Sequence, residues 1–191
     1  MAINIIKEIK SIAKKPPEVT IFVYHTWQDK YEKLRPYVNY LIEDDKDLKE
    51  KIQAKTENKT SLVVLDDVMN SSNLSYFKLL FTVEARHQQI SVVFLTQKMF
   101  TSDEYIRVIS QNSDYIIAMA NPRNSDQMYQ LATQINRNQA QLIFDIYTKA
   151  TEDVNFSYLL LDLTQTCPPQ LKYRSHIFNN EGTVRVYVAE N

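Results

Sequence analysis

Glycine is nearly missing from this chain: Gly182 is the one glycine in 191 residues, against an average usage of about 7%. A phosphate-cradling loop of the G-x-x-x-x-G-K-[ST] type needs two glycines and a dinucleotide fingerprint needs three, because the backbone must approach phosphate oxygens with no Cβ in the way. Neither motif is present. Cysteine is equally scarce. Cys167 stands alone, which excludes an internal disulfide framework and any multi-cysteine zinc or iron–sulfur site, and fits an intracellular, reducing compartment. Charge of one sign is missing too: 22 Lys+Arg against 23 Asp+Glu leave a formal charge of −1. Coating nucleic acid by charge alone is thereby excluded, and any contact with DNA has to be local. No apolar run approaches the ~18 residues that span a bilayer. The first residues, Met1 to Lys15, alternate Ile with Lys instead of forming a signal core. A soluble chain with no visible address is the expectation.

What is there is a run of strands alternating with helices. With 44% hydrophobic residues over 191 positions, one well-buried domain spanning 1–191 is expected. Ile3, Ile5, Ile6, Ile9, Ile12 and Ala13 recur at helical spacing opposite Lys7, Lys10 and Lys14, and Pro16-Pro17 ends that helix. Val19 to Tyr24 is a β-branched and aromatic run of strand length. Trp27 to Leu41 keeps helical spacing through Tyr31, Leu34, Val38 and Leu41 despite Pro36, and Glu43 to Lys59 reads as charged surface helix or loop.

Ser61 to Leu65 is continuously apolar and ends in Asp66-Asp67, the pattern of a strand buried on both faces. Ile90 to Leu95, ending at Thr96-Gln97, repeats it after a helix from Leu74 to Arg86. Asp103 to Gln111 reads as helix and Tyr115 to Met119 as a third inner strand. Asn121-Pro122-Arg123-Asn124 is a turn before helices at Ser125 to Gln134 and Gln139 to Ala150. Tyr158 to Leu163 is a further strand, and Lys172 to Phe178 with Val184 to Val188 flanks Asn179 to Gly182 as a terminal β-hairpin. This alternation predicts an α/β fold in three layers with a mainly parallel sheet, because parallel neighbours need a crossover between them.

In such a sheet, ligands gather at the carboxyl ends of the strands. Two carboxylates just past a buried strand are what a nucleotide hydrolase needs: one to hold Mg²⁺, the other to orient or deprotonate the attacking water. A neutral amide on a neighbouring strand, here Gln97, could sense the γ-phosphate. Aspartate also ends strands and caps the following helix for purely local reasons, so Asp66-Asp67 alone does not specify this chemistry.

Several strings in order add to it: LVVLDDVM (62–69), ISVVFLTQ (90–97), ISQNSDYII (109–117), NPRN (121–124), YLLLDL (158–163) and LKYRSHIF (171–178). Together they resemble the poxvirus-type genome-packaging ATPases of the FtsK/HerA superfamily, closest to the copies carried by Polinton/Maverick elements. The likeness is collinear from about Ile3 to Val188 and includes Pro16-Pro17 and YHTWQ (24–28). It implies a P-loop NTPase core of RecA/FtsK-like type, an ATP- and Mg²⁺-dependent translocase of double-stranded DNA. Such a motor assembles as a homo-oligomeric ring on a capsid at a viral assembly site in host cytoplasm or nucleus.

By position, the resemblance makes Asp66 the Mg²⁺-side acid, Asp67 the catalytic acid and Gln97 the polar sensor. Arg107 and Arg123 become candidates for reaching a phosphate or a neighbouring subunit. At Glu84 to Gln89 the family's basic pattern is kept at His87 but not at Gln88. The chain opens where the helix after the family's Gly-Lys-Thr would begin, so the first strand and the phosphate loop are not in it, and it is expected to bind ATP weakly or not at all by itself. Whether that loop is lost naturally or lies upstream stays open. A catalytically dead structural or regulatory module is the alternative, and a metal-dependent nuclease built on Asp66, Asp67 and Asp162 a more distant one. His25, His87 and His176 lack paired metal-ligand spacing. Cys167 has no identifiable partner for nucleophilic work. The lysine face of the first helix reads as solvated, and Trp27, Tyr31 and Tyr37 as core or groove lining before a base-stacking platform.

Overall fold

A computed structural model describes residues 1–98, 103–121, 125–152 and 157–188. The backbone divides into two compact units, Met1–Asn112 and Ser113–Asn191. In the first, α1 (Ala2–Ile12) precedes β1 (Val19–Tyr24), a 3₁₀ turn (Asp29–Leu34), β2 (Tyr40–Glu43), α2 (Leu48–Thr56) and β3 (Ser61–Asp66). Then α3 (Leu74–Leu79) runs through a π-helical turn (Leu80–Glu84) into the short α4 (Ala85–His87), followed by β4 (Ile90–Leu95) and α5 (Glu104–Gln111). The four strands are all parallel in the order β2-β1-β3-β4.

Two apolar layers sandwich this sheet, because alternate strand residues point to opposite faces. Ile21, Val23, Val63 and Leu65 meet Leu48 and Ile52 of α2, Leu74 and Phe77 of α3, and Ile106 and Ile109 of α5. Phe22, Leu62 and Val64 meet Ile6 of α1 with Tyr31 and Leu34 of the 3₁₀ turn. Leu62 to Leu65 are therefore buried on both faces, as an inner strand requires. The first unit is an α/β sandwich around a four-stranded parallel sheet.

Three expectations need correction. Trp27 to Leu41 is not one helix: Pro36 has no amide to continue a helical ladder, and Leu41-Ile42 pairs in register with Phe22-Val23 as β2. The charged segment after Glu43, expected as surface helix or loop, does hold a helix, α2, but one anchored in the core by the fully buried Leu48 and Ile52. And β4, expected as an inner strand, forms the outer edge of the sheet, with Ser91 exposed and Val92 to Leu95 half-buried.

The second unit is antiparallel throughout its sheet, where a mainly parallel one was expected. It contains β5 (Tyr115–Met119), α6 (Ser125–Ile135), a 3₁₀ turn (Arg137–Gln139), α7 (Ala140–Thr151), β6 (Tyr158–Asp162), β7 (Tyr173–Ser175) and β8 (Arg185–Val186), with 3₁₀ turns at Pro169–Leu171 and Asn179–Glu181. Its order is β5-β6-β7-β8. The physical reason lies between β5 and β6. One crossover helix returns the chain for a parallel strand, but α6 and α7 are two helices joined by a short turn, so the chain comes back from the other end. Between β7 and β8 run residues 176–184 with their own 3₁₀ turn, a longer connection than a tight hairpin loop.

All five residues of β6 are buried, including Asp162. Burial works to raise its carboxyl pKa. Hydrogen bonds from the Thr164 hydroxyl (2.6 Å) and amide (3.2 Å), with the Arg174 guanidinium 2.7 Å away, outweigh that and hold it below the usual carboxylate range. A carboxyl depressed on folding contributes its stability above its unfolded value, about pH 4, and loses it as pH falls through the lower folded value. Arg174→Met is expected to cost about 2 kcal/mol at neutral pH and to flatten this acid limb, checked by urea midpoints of both proteins between neutral and strongly acid pH.

Candidate functional site

The connection from β1 places β2 on one side and the chain then returns to place β3 on the other, so the strand order reverses between β1 and β3. In open parallel sheets this is where the loops diverge and leave a crevice at the carboxyl ends. Tyr24 is opposite Glu43 on one neighbour and Asp66 on the other. His25, Asp44 and Asp67 each follow those paired residues directly.

Asp66 is half-buried, with 19% of its side chain exposed. The Tyr31 hydroxyl donates to its Oδ2 at 2.8 Å, and the Lys30 ammonium lies 4.0 Å from the same oxygen. Burial of Tyr31, then the hydrogen bond to Asp66, push that phenol well above its ordinary pKa, so it stays a donor. Tyr31 is in turn held by Phe22 (5.0 Å between ring centroids), Tyr24 (5.7 Å) and Trp27 (5.8 Å). Asp67 is exposed and takes a left-handed backbone, φ 58°. Aspartate tolerates that region better than most side chains.

On the next strand Leu95 pairs with Asp66, so Thr96 and Gln97 continue beside Asp67 at the carboxyl end of β4. Thr96 is exposed, its hydroxyl lying 2.7 Å from the Lys98 carbonyl and 3.0 Å from Met69 Sδ and accepting from the Lys98 amide at 3.1 Å. Gln97 is exposed. The fold thus brings Asp66, Asp67 and Gln97 to one edge. Arg107 is exposed on α5, and among the described residues no ion pair links it to either aspartate. Arg123 lies outside the described residues. His87 and Gln88 sit at the opposite, amino end of the strands, where with Asn58 and Lys59 they line an open groove of about 620 Å³.

Sequence reasoning missed one feature of this edge. Asp44 has a side chain only 1% exposed. Its Oδ1 accepts from the Ser71 hydroxyl at 2.9 Å and the Asn73 amide at 2.8 Å, while Oδ2 lies 3.3 Å from His25 Nδ1. The His25 side chain is 48% exposed. A buried carboxylate on one ring nitrogen orients the imidazole. The available signal was position: His25 follows the end of β1, and Asp44 follows an apolar stretch that is β2.

The chain matches no family model, no curated protein and no solved structure. Among the described residues no three His, Cys, Asp or Glu are grouped to hold a metal ion, and no helix is long and apolar enough to cross a membrane. Asp162 belongs to the second unit, where its carboxylate is already bonded by Thr164 and Arg174. Burial, then the Asp162 carboxylate, push the Cys167 thiol up, away from the reactive thiolate.

Proposed function

We propose that the chain is the core of a ring-forming DNA-packaging ATPase that drives a viral genome into its capsid, inactive by itself because it lacks a phosphate loop. The observation that carries this reading is the edge formed by β3 and β4. Asp66 closes the inner strand with Asp67 directly after it, and Gln97 lies two residues past the end of the neighbouring strand, which supports a nucleotide-hydrolysing reading. Among the described residues the Tyr31 hydroxyl and the Lys30 ammonium both meet Asp66 at Oδ2, which leaves Oδ1 as a ligand. Mg²⁺ is commonly held by one or two carboxylates with substrate phosphates and water, so this donor fits a Mg²⁺ that arrives with nucleotide. When bound, that ion neutralises charge on the phosphates. Asp67 would orient or deprotonate water, and Gln97 would report on the terminal phosphate.

The two edges of the sheet support the same reading. At β2 the edge is blunted: the strand has four residues, ends in Glu43, and Lys55 lies 4.3 Å from the Tyr40 ring centroid. At β4 it is bare. Val92 and Phe94 pack against one apolar layer and Val93 and Leu95 against the other, with no proline or charge along the strand. Natural sheets usually protect such an edge. An additional parallel strand leading into a phosphate loop would complete it beside Gln97.

The test is equilibrium binding of Mg²⁺-ATP to this chain and to a version extended upstream through any strand and G-x-x-x-x-G-K-[ST] loop encoded there. The expected result is no binding by the chain alone, and binding with turnover by the extended form. Asp67→Asn should lower that turnover at least about 100-fold and leave binding in place. An extended form that folds and binds no nucleotide would overturn the ATPase reading in favour of a structural or regulatory module.

A further inference from the structure

The structure separates the three aromatic residues that the sequence groups after β1. Tyr31 is buried, whereas Trp27 is 38% and Tyr37 45% exposed. Both exposed rings flank the layer that packs α1 against the sheet. Trp27 touches Tyr31, which shares an apolar cluster with Ile6 of α1. Tyr37 lies under Lys7 of the same helix, with the ammonium 5.1 Å from the ring centroid.

The Trp27 ring is held in place. Edge contacts from Tyr24 (5.4 Å, 74°) and Tyr31 (5.8 Å, 77°) fix the indole. The Arg35 guanidinium lies 5.8 Å from its centroid, itself held by Glu32 at 2.5 and 3.0 Å. Arg35 is therefore a flat stacking surface with its charge already balanced. Positive charge comes from Lys7, whose ammonium already covers one side of the Tyr37 ring, from Lys10, three residues on and so on the same side of α1, and from the exposed Lys33. Glu8 and Asp29 are the remaining acids of these segments.

We propose that this face of the first unit binds single-stranded nucleic acid, with bases stacking on Trp27 and Tyr37 and phosphates meeting Lys7, Lys10 and Lys33. Exposed aromatic rings interleaved with cations match what an unpaired strand offers, a π-face on every base and a charge on every phosphate. A duplex keeps its base faces stacked inside and would use only the lysines. The surface is local, in keeping with a chain of net charge −1. This role goes beyond the ATPase reading and needs no nucleotide hydrolysis.

Trp27 is the one tryptophan of the protein, so its emission reports on the site directly. Titration of the chain with a short oligothymidylate at low salt should quench it saturably. The affinity should fall with a slope of about −2 in log K against log salt, as expected for three neutralised phosphates of a single strand. Trp27→Ala, followed with a labelled oligonucleotide, and Tyr37→Ala should each weaken binding about tenfold. Lys7→Gln with Lys10→Gln should flatten the slope to about −1. All four positions are exposed, and far-UV circular dichroism checks that each variant folds. Absence of quenching at low salt overturns the proposal. So does binding indifferent to both aromatic substitutions, or a duplex of matching length that binds as tightly.

Discussion

Phe77→Ala is expected to lower the stability of the first unit by about 4 kcal/mol. The ring lies on α3, is completely buried, and belongs to the apolar layer that includes Val63 and Leu65 of the inner strand. Removing it takes away the transfer energy of the whole phenyl group and leaves a void that a sheet packed on both faces cannot easily close. The helix it belongs to cannot readily move in, because Leu74 and Leu80 from the same segment are anchored in the same layer. Phe77→Leu should retain over half of the loss-free stability, since most of the volume stays. Urea unfolding followed by Trp27 emission measures both, and that single reporter lies within the affected unit.

Asp44→Ala should cost the same unit about 3 kcal/mol, through hydrogen bonding instead of packing. The carboxylate is the acceptor for the Ser71 hydroxyl and the Asn73 side-chain amide. Those two groups also organise the loop into α3: the Asn73 amide nitrogen of the backbone donates to Ser71 Oγ at 2.8 Å, and Asn73 Nδ2 donates to the Asp45 carbonyl at 2.8 Å. Truncation leaves the buried Ser71 hydroxyl without this acceptor and Asn73 Nδ2 with the Asp45 carbonyl alone, which costs more than the bonds contributed. Asp44→Asn keeps one oxygen for Ser71 and Asn73, so its expected loss is about 1 kcal/mol. The same urea series reads both variants. If alanine and asparagine proved equally damaging, the charge facing His25, and not the acceptor facing Ser71 and Asn73, would be what the site depends on.

Much of the first unit is legible in the sequence because its inner strands are continuous apolar runs. Val19 to Val23 and Ser61 to Leu65 are buried at every position, and runs this short, β-branched and bounded by polar residues favour an inner strand over a buried helix. The stretch after Trp27 shows where such reading fails. The helical spacing of Tyr31, Leu34, Val38 and Leu41 correctly marks residues that face one apolar layer, but a 3₁₀ turn, a bend at Pro36 and a short strand satisfy the same burial as a helix would. Missing β2 also hid Asp44, since a strand end is not recognised when its strand is not. Asp66, Asp67 and Gln97 could be read because each follows a run that is unmistakably extended. In the second unit, apolar runs such as Tyr158 to Leu161 look alike in parallel and antiparallel sheets, and only the pairing of α6 with α7 decides the direction.

A chain with one glycine must make its left-handed turns from other residues, and it does so at Asn58, Asp67, Gln89 and His176, with φ between 55° and 58°. Each holds a conformation that glycine would adopt with less strain. Asn58, Gln89 and His176 are consequently places where the protein has room to become more robust by substitution. Asp67 is different: glycine there would relax the same backbone strain while deleting the carboxylate at the carboxyl end of the inner strand, so robustness and chemistry pull apart at that one residue.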